Sequence, residues 1–156
     1  MKLRNLAASL LAGSCASMVH ALLMAIKHDA GILPGFEPYE DLQRLLASVT
    51  DYSLAPPWSW LLPYVNGAVI LGFVFGKLFA LLPLRTTIGK GAAFGLAAWL
   101  LMGFGFLPLA GRGLFGVRLG LGATPAALML AMLMTYSIAM SLLYARLTRT
   151  PARQNR

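Results

Sequence analysis

Four stretches of this 156-residue chain run apolar for more than twenty residues without a single carboxylate. They are LAASLLAGSCASMVHALLMAI (6–26), LLPYVNGAVILGFVFGKLFALL (61–82), IGKGAAFGLAAWLLMGFGFLPL (88–109) and PAALMLAMLMTYSIAMSLLYARL (125–147). Crossing the ~30 Å hydrocarbon core of a bilayer takes about 20 residues at ~1.5 Å rise each. Lipid offers backbone N–H and C=O groups no partner, so a crossing segment must be a helix or belong to a closed barrel. These runs are continuous and do not alternate, which excludes the barrel. Composition agrees, because 58% of residues are hydrophobic and only 12% are charged, against the ~25% charged of a soluble domain. The expected fold is all-α and polytopic: four transmembrane helices in a single membrane domain spanning 1–156. The first run follows KLR and contains LAGSC, which suggests a cleaved leader, but it stays apolar through Met24. That is long for the core of a signal peptide, and a retained span is expected.

Charge sets the expected orientation. With four spans, the N-terminus, the loop near 83–87 and the C-terminus share one side, flanked by nine of the thirteen Lys and Arg. Lys27, Arg44, Arg112 and Arg118 flank the other. Excess Lys and Arg marks the cytoplasmic side, so both termini are expected there. All five acidic residues, Asp29, Glu37, Glu40, Asp41 and Asp51, fall in the first outer loop. A solvated loop is the cheapest place for them, since an acid within a span costs several kcal/mol. Within that loop Pro38 suits a first helical turn, and Leu42, Leu45, Leu46 and Val49 recur at i, i+3, i+4 and i+7. An amphipathic helix is therefore expected over 38–50, lying on the outer membrane surface or against a partner through those four residues. Pro56-Pro57 closes the region, and Trp58 and Trp60 read as interface anchors. The loop GRGLFGVRLGLGATP is both Gly-rich and apolar, which predicts a segment dipping into the interface, with Thr124 capping the last helix and Pro125 opening it.

Inside the spans the polar residues are few. Ser9, Gly13, Ser17 and His20 form a small and polar stripe on the first helix, suited to close helix approach and cross-helix hydrogen bonds. Gly72 and Gly76, and Gly91 and Gly95, are GxxxG pairs, which predicts tight packing of the second span on the third. Met129, Met132, Tyr136 and Met140 make an adaptable packing stripe on the fourth, suited to a partner that carries a cofactor. Cys15 reads as a small buried residue. Among these, His20, Asn66 and Tyr136 are the candidates for contact with a ligand or cofactor, because ionisable and polar groups at membrane depth mark functional sites. A packed, neutral histidine is the competing reading for His20. The other histidine, His28, lies on the same helix, so the two cannot face each other across one haem iron. No nucleophile–base pair, phosphate loop, CxxC or metal-ligand spacing occurs, so neither an enzyme nor a metal site is expected. The basic tail ARLTRTPARQNR fits topology and anionic lipid, and nucleic acid is not expected as a partner.

GILPGFEPYEDLQRLL (31–46) and YVNGAVILGFVFGKLFALLP (64–83) resemble an uncharacterised group of small four-span bacterial inner-membrane proteins. The resemblance implies a location in the bacterial inner membrane and carries no site residues. The functional expectation is an accessory, non-catalytic subunit of a larger membrane complex, of the respiratory or photosynthetic electron-transfer kind. It would have no cofactor of its own, but contact with a partner's haem, quinone or pigment. The alternative is a small homo-oligomeric transporter or channel, disfavoured by the lack of an internal repeat and of paired intramembrane charges.

Overall fold

The computed structural model describes residues 3–50, 61 and 64–148, and among them there are helices and no strands. Helix α1 is Leu3–Asp29, α2 is Pro38–Thr50, α3 is Asn66–Leu78, α4 is Thr87–Leu109 and α5 is Thr124–Thr148. Helices α1, α4 and α5 are each long and apolar enough to cross a membrane. They start and stop within three residues of the runs read from the sequence. Helix α3 falls inside the expected second span, and at ~1.5 Å per residue it measures about 20 Å. Leu61 is also helical, whereas Pro56, Pro57, Trp58 and Trp60 lie outside the described residues.

The helices pack in the order α3–α1–α5–α4, with α1 touching α3 and α5, and α5 touching α4. Small residues set this order. On α1, Ser9 and Gly13 meet Gly72 and Ala68 of α3: a Cβ on Gly13 would stand 2.6 Å from the Ala68 carbonyl oxygen, and one on Gly72 would stand 2.9 Å from that of Ser9. Gly91 of α4 is pressed equally hard on α5, 2.8 Å from the Ser137 carbonyl oxygen by the same measure. The two GxxxG pairs therefore serve different seams. Gly72 faces α1 and Gly91 faces α5, which corrects the expectation that they join the second span to the third. The reason lies in their partners, since α1 offers Ser9 and Gly13 and α5 offers Ser137 and Ser141 at matching four-residue spacing. Between α3 and α4 the contact is aromatic, with the Phe75 and Phe94 rings 5.1 Å apart. Around them Ala8, Ala12, Ala16, Tyr136, Met140 and Tyr144 complete the main core. In lipid such a core is held by close van der Waals packing and cross-helix hydrogen bonds, because no hydrophobic force favours helix over lipid contact. Ser141 Oγ donates to the Thr87 carbonyl at 2.6 Å, and Trp99 Nε1 to that of Ala126 at 2.9 Å.

Arg4 Nη2 lies 3.5 Å from the Thr148 carbonyl oxygen, and Lys90 Nζ donates to that of Phe79 at 2.5 Å. The start of α1, the end of α5 and the α3–α4 loop thus share one end of the bundle, and the 30–37 and 110–123 segments share the other. At that second end a smaller core forms from Phe36, Leu107 and Met129. Phe115 stands at φ +51, inside a 3₁₀ segment Leu114–Leu119, a conformation costing a side-chain-bearing residue about 1 kcal/mol. Packing holds it there. Its ring lies 4.6 Å from Trp99 and 4.9 Å from Phe104, in a notch that Gly103 leaves by lacking a Cβ. The notch coincides with a π-helical turn of α4, Met102–Phe106. The 110–123 loop thus folds onto α4 instead of standing away from it. Two smaller differences from the sequence reading concern single residues. The Ala127 N–H donates to the Ala123 carbonyl, so α5 begins one residue earlier than a Thr124 cap would require. Cys15 is exposed, on the face of α1 turned away from the seam.

Candidate functional site

Helix α1 carries Ser17 and His20 on the face it turns toward α3 and α5, where polar side chains meet in the interior of the bundle. Tyr136 of α5 donates its hydroxyl to the Gly67 carbonyl at 2.6 Å. That carbonyl opens a π-helical turn, Asn66–Leu71, and also accepts the Gly72 N–H. Such turns are rare inside helices and often mark functional sites. Here the wide turn brings Gly67 up against Ser17, whose hydroxyl a Cβ on Gly67 would meet at 2.5 Å. The His20 ring stands edge-on to Tyr136, with centroids 6.1 Å apart, and 6.2 Å from Tyr39 in the first turn of α2. His20 Nδ1 is buried and has no hydrogen-bond partner, whereas the buried Ser17 hydroxyl lies against that of Tyr136. One imidazole nitrogen is thus left over beside a tyrosine. A neutral imidazole nitrogen can either accept or donate a hydrogen bond, depending on its tautomer, so Nδ1 is the group here still able to take a polar partner.

The cap above it is fixed by charge. Lys27, at the end of α1, is 3% exposed and donates to Glu37 Oε1 at 2.7 Å, with His28 Nδ1 3.5 Å from the same oxygen. Asp41, whose side chain is 1% exposed, accepts from Arg112 Nε at 3.1 and 3.0 Å and from Nη2 at 2.7 Å. Arg44 Nη1 adds a contact to Asp41 at 3.1 Å, and Arg44 Nη2 reaches Glu40 at 2.9 Å. The pairing with Asp41 raises the pKa of the Arg112 guanidinium further above its ordinary value. So the acidic window is partly a solvated face, as at Glu40, and partly a set of buried latches tying α2 and the 30–37 segment to α1 and the 110–123 loop. The signal available for these pairs was the company the acids keep, since Lys27, Arg44 and Arg112 are their partners.

The residues singled out from the sequence divide accordingly. His20 and Tyr136 come together, and Ser9, Gly13, Ser17, Gly72, Gly91 and Gly95 sit in the helix seams, with Gly76 buried on α3. Asn66 is exposed, one residue before Gly67, and does not join His20. Leu42, Leu45 and Leu46 are half-buried, Leu45 near Leu109 at the end of α4, but Val49 is 78% exposed. The stripe Met129, Met132, Tyr136 and Met140 is buried within the chain's own core, so it is not a surface for a partner. Tyr39, Ser137 and Ser141 were not picked out from the sequence. The serines show a small-xxx-small spacing that complements Gly91 and Gly95. Tyr39 left no periodic signal. Among the described residues no group of three His, Cys, Asp or Glu is placed to hold a metal.

An all-helical bundle with three span-length apolar helices and a polar interior under an ion-paired cap defines a membrane-type helical protein. The chain belongs to a family of unknown function (DUF6789), which matches residues 3–155. No curated protein and no solved structure matches it.

Proposed function

We propose that this protein is an accessory, non-catalytic subunit of a larger complex in the bacterial inner membrane, crossing it four times with both termini cytoplasmic. The observation that carries this reading is how its chemistry-bearing groups are used. The carboxylates Glu37 and Asp41 are tied into ion pairs that close the cap, and the Tyr136 hydroxyl is tied to the Gly67 carbonyl. Around the outside, large apolar side chains such as Leu11, Leu22, Ile70, Phe73, Leu101 and Phe104 are exposed. That surface suits lipid or the helices of other subunits. What remains for function is His20, whose unpaired nitrogen can hydrogen-bond a cofactor or water held between helices.

Extraction in mild detergent followed by native mass spectrometry tests the assignment. Co-migration with different, cofactor-bearing subunits is the expected result. A stable homo-oligomer that by itself moves solute across liposomes would overturn it in favour of a transporter. For His20, replacement by Phe keeps the ring's bulk and removes both nitrogens. The expected outcome is loss of assembly or of the parent complex's activity, with a changed absorption spectrum if the ring touches a haem or pigment. Unchanged assembly, activity and spectrum would make His20 a packing residue.

A further inference from the structure

The two ends of the bundle treat their positive charges differently. At the capped end Lys27, Arg44 and Arg112 each meet a carboxylate. At the opposite end, among the described residues, there are basic residues and no Asp or Glu. There an open cleft of about 290 Å³ sits between α4 and the end of α5, lined by Phe79, Arg85, Thr87, Lys90, Ala145 and Thr148. Lys90 is held in place, its ammonium donating to the Phe79 carbonyl and lying 4.5 Å from the Phe79 ring centroid. An ammonium has three donors, so two remain for an anion. Arg85 is exposed on the loop that enters α4, and Arg4 reaches the margin at Thr148.

From this cleft we infer a binding site for a phosphate group, presented by the headgroup of an anionic phospholipid. Arg85 and Lys90 supply the charge, with Arg85 able to take two phosphate oxygens at once. The source is lipid because the cleft lies where an apolar, span-length helix ends, at the depth of headgroups. Basic pockets between spanning helices are a recurrent form of such sites. An ion pair with lipid would supply the counter-charge that the sequence withholds from this end.

The test uses the full chain in detergent, titrated with dioctanoyl phosphatidylglycerol, dioctanoyl phosphatidylcholine or inorganic phosphate, with bound ligand read by native mass spectrometry. Phosphatidylglycerol should bind to the wild type in preference to phosphatidylcholine. Arg85→Gln should weaken it about fivefold, the share expected of one basic residue, and Lys90→Gln by at least as much. Arg118→Gln, an exposed arginine at the far end, should change nothing. Arg85 is exposed, so its loss tests the site even if Lys90→Gln fails to fold. Equal binding by wild type and Arg85→Gln would overturn the proposal, as would equal retention of the two lipids. Inorganic phosphate alone binding as tightly as phosphatidylglycerol would overturn the lipid source.

Discussion

Asp41 shows why an acidic cluster cannot be read from composition alone. Its side chain is 1% exposed and meets Arg112 through both oxygens, whereas Glu40, its neighbour, is 61% exposed and bonds only Arg44 one turn away. Removing one partner of a buried pair leaves the other charge uncompensated, which costs about 3 kcal/mol or more, while an exposed pair is worth under about 1 kcal/mol. Arg112→Gln, which strands the buried Asp41 carboxylate with only the exposed Arg44, is therefore expected to loosen the cap by about 3 kcal/mol, and Glu40→Gln to stay within about 0.5 kcal/mol. Protease nicking of the cap in detergent reports this directly, and equal sensitivity of the two variants would contradict it. Tyr39 gives the same end of the molecule a dependence on alkali. Burial pushes its phenol up to about 12, from about 10 in an unfolded chain. The folded state thus holds that proton more tightly. The stability it contributes is complete below pH about 10 and is lost as pH rises through about 12. Tyr39→Phe should remove one late-titrating tyrosine from the alkaline absorbance curve. An unchanged curve above pH 11 would show that the ring is not buried there.

Among the elements, the apolar runs were legible because a span has to be long and apolar, and α1, α4 and α5 keep the expected bounds closely. The partners of those spans were not legible. GxxxG says that a helix can be approached closely, but not by which neighbour. The answer lay in Ser9 with Gly13 and in Ser137 with Ser141, less conspicuous pairs at the same spacing. The π-helical turns at Asn66–Leu71 and Met102–Phe106 left no periodic trace either, since one extra residue in a turn barely disturbs an apolar pattern. His20 was visible as an ionisable group at depth, but its neighbours Tyr136 and Tyr39 come from distant segments. Seam and bulge glycines respond differently to a methyl group. A Cβ on Gly91 would lie 2.8–2.9 Å from the Ser137 oxygen, Ile138 Cα and Ser141 Cβ, whereas one on Gly105 would meet only Leu101 Cδ1 at 3.7 Å. Gly91→Ala is expected to cost about 1–3 kcal/mol by overpacking, and Gly105→Ala to be tolerated. Unfolding in graded sodium dodecyl sulfate measures both. If Gly91→Ala is as stable as Gly105→Ala, the α4–α5 seam is looser than described.

At the scale of the whole molecule the organising feature is polarity along the bundle. One end carries Asp29, Glu37, Glu40 and Asp41, buried latches and a folded-over loop. The other gathers the start of α1, the end of α5 and the basic residues Arg85 and Lys90. The span-length helices α1, α4 and α5 connect the two, and the α3 segment makes the fourth crossing in the proposed arrangement. That arrangement requires the ends to face opposite sides of the membrane. Labelling with a membrane-impermeant maleimide, in a Cys15→Ser background with either Glu40→Cys or Arg146→Cys, measures this most directly. Intact cells should label Glu40→Cys, and Arg146→Cys should react only after permeabilisation. Labelling of Arg146→Cys in intact cells, or identical behaviour at the two positions, would contradict the proposed crossing and its orientation.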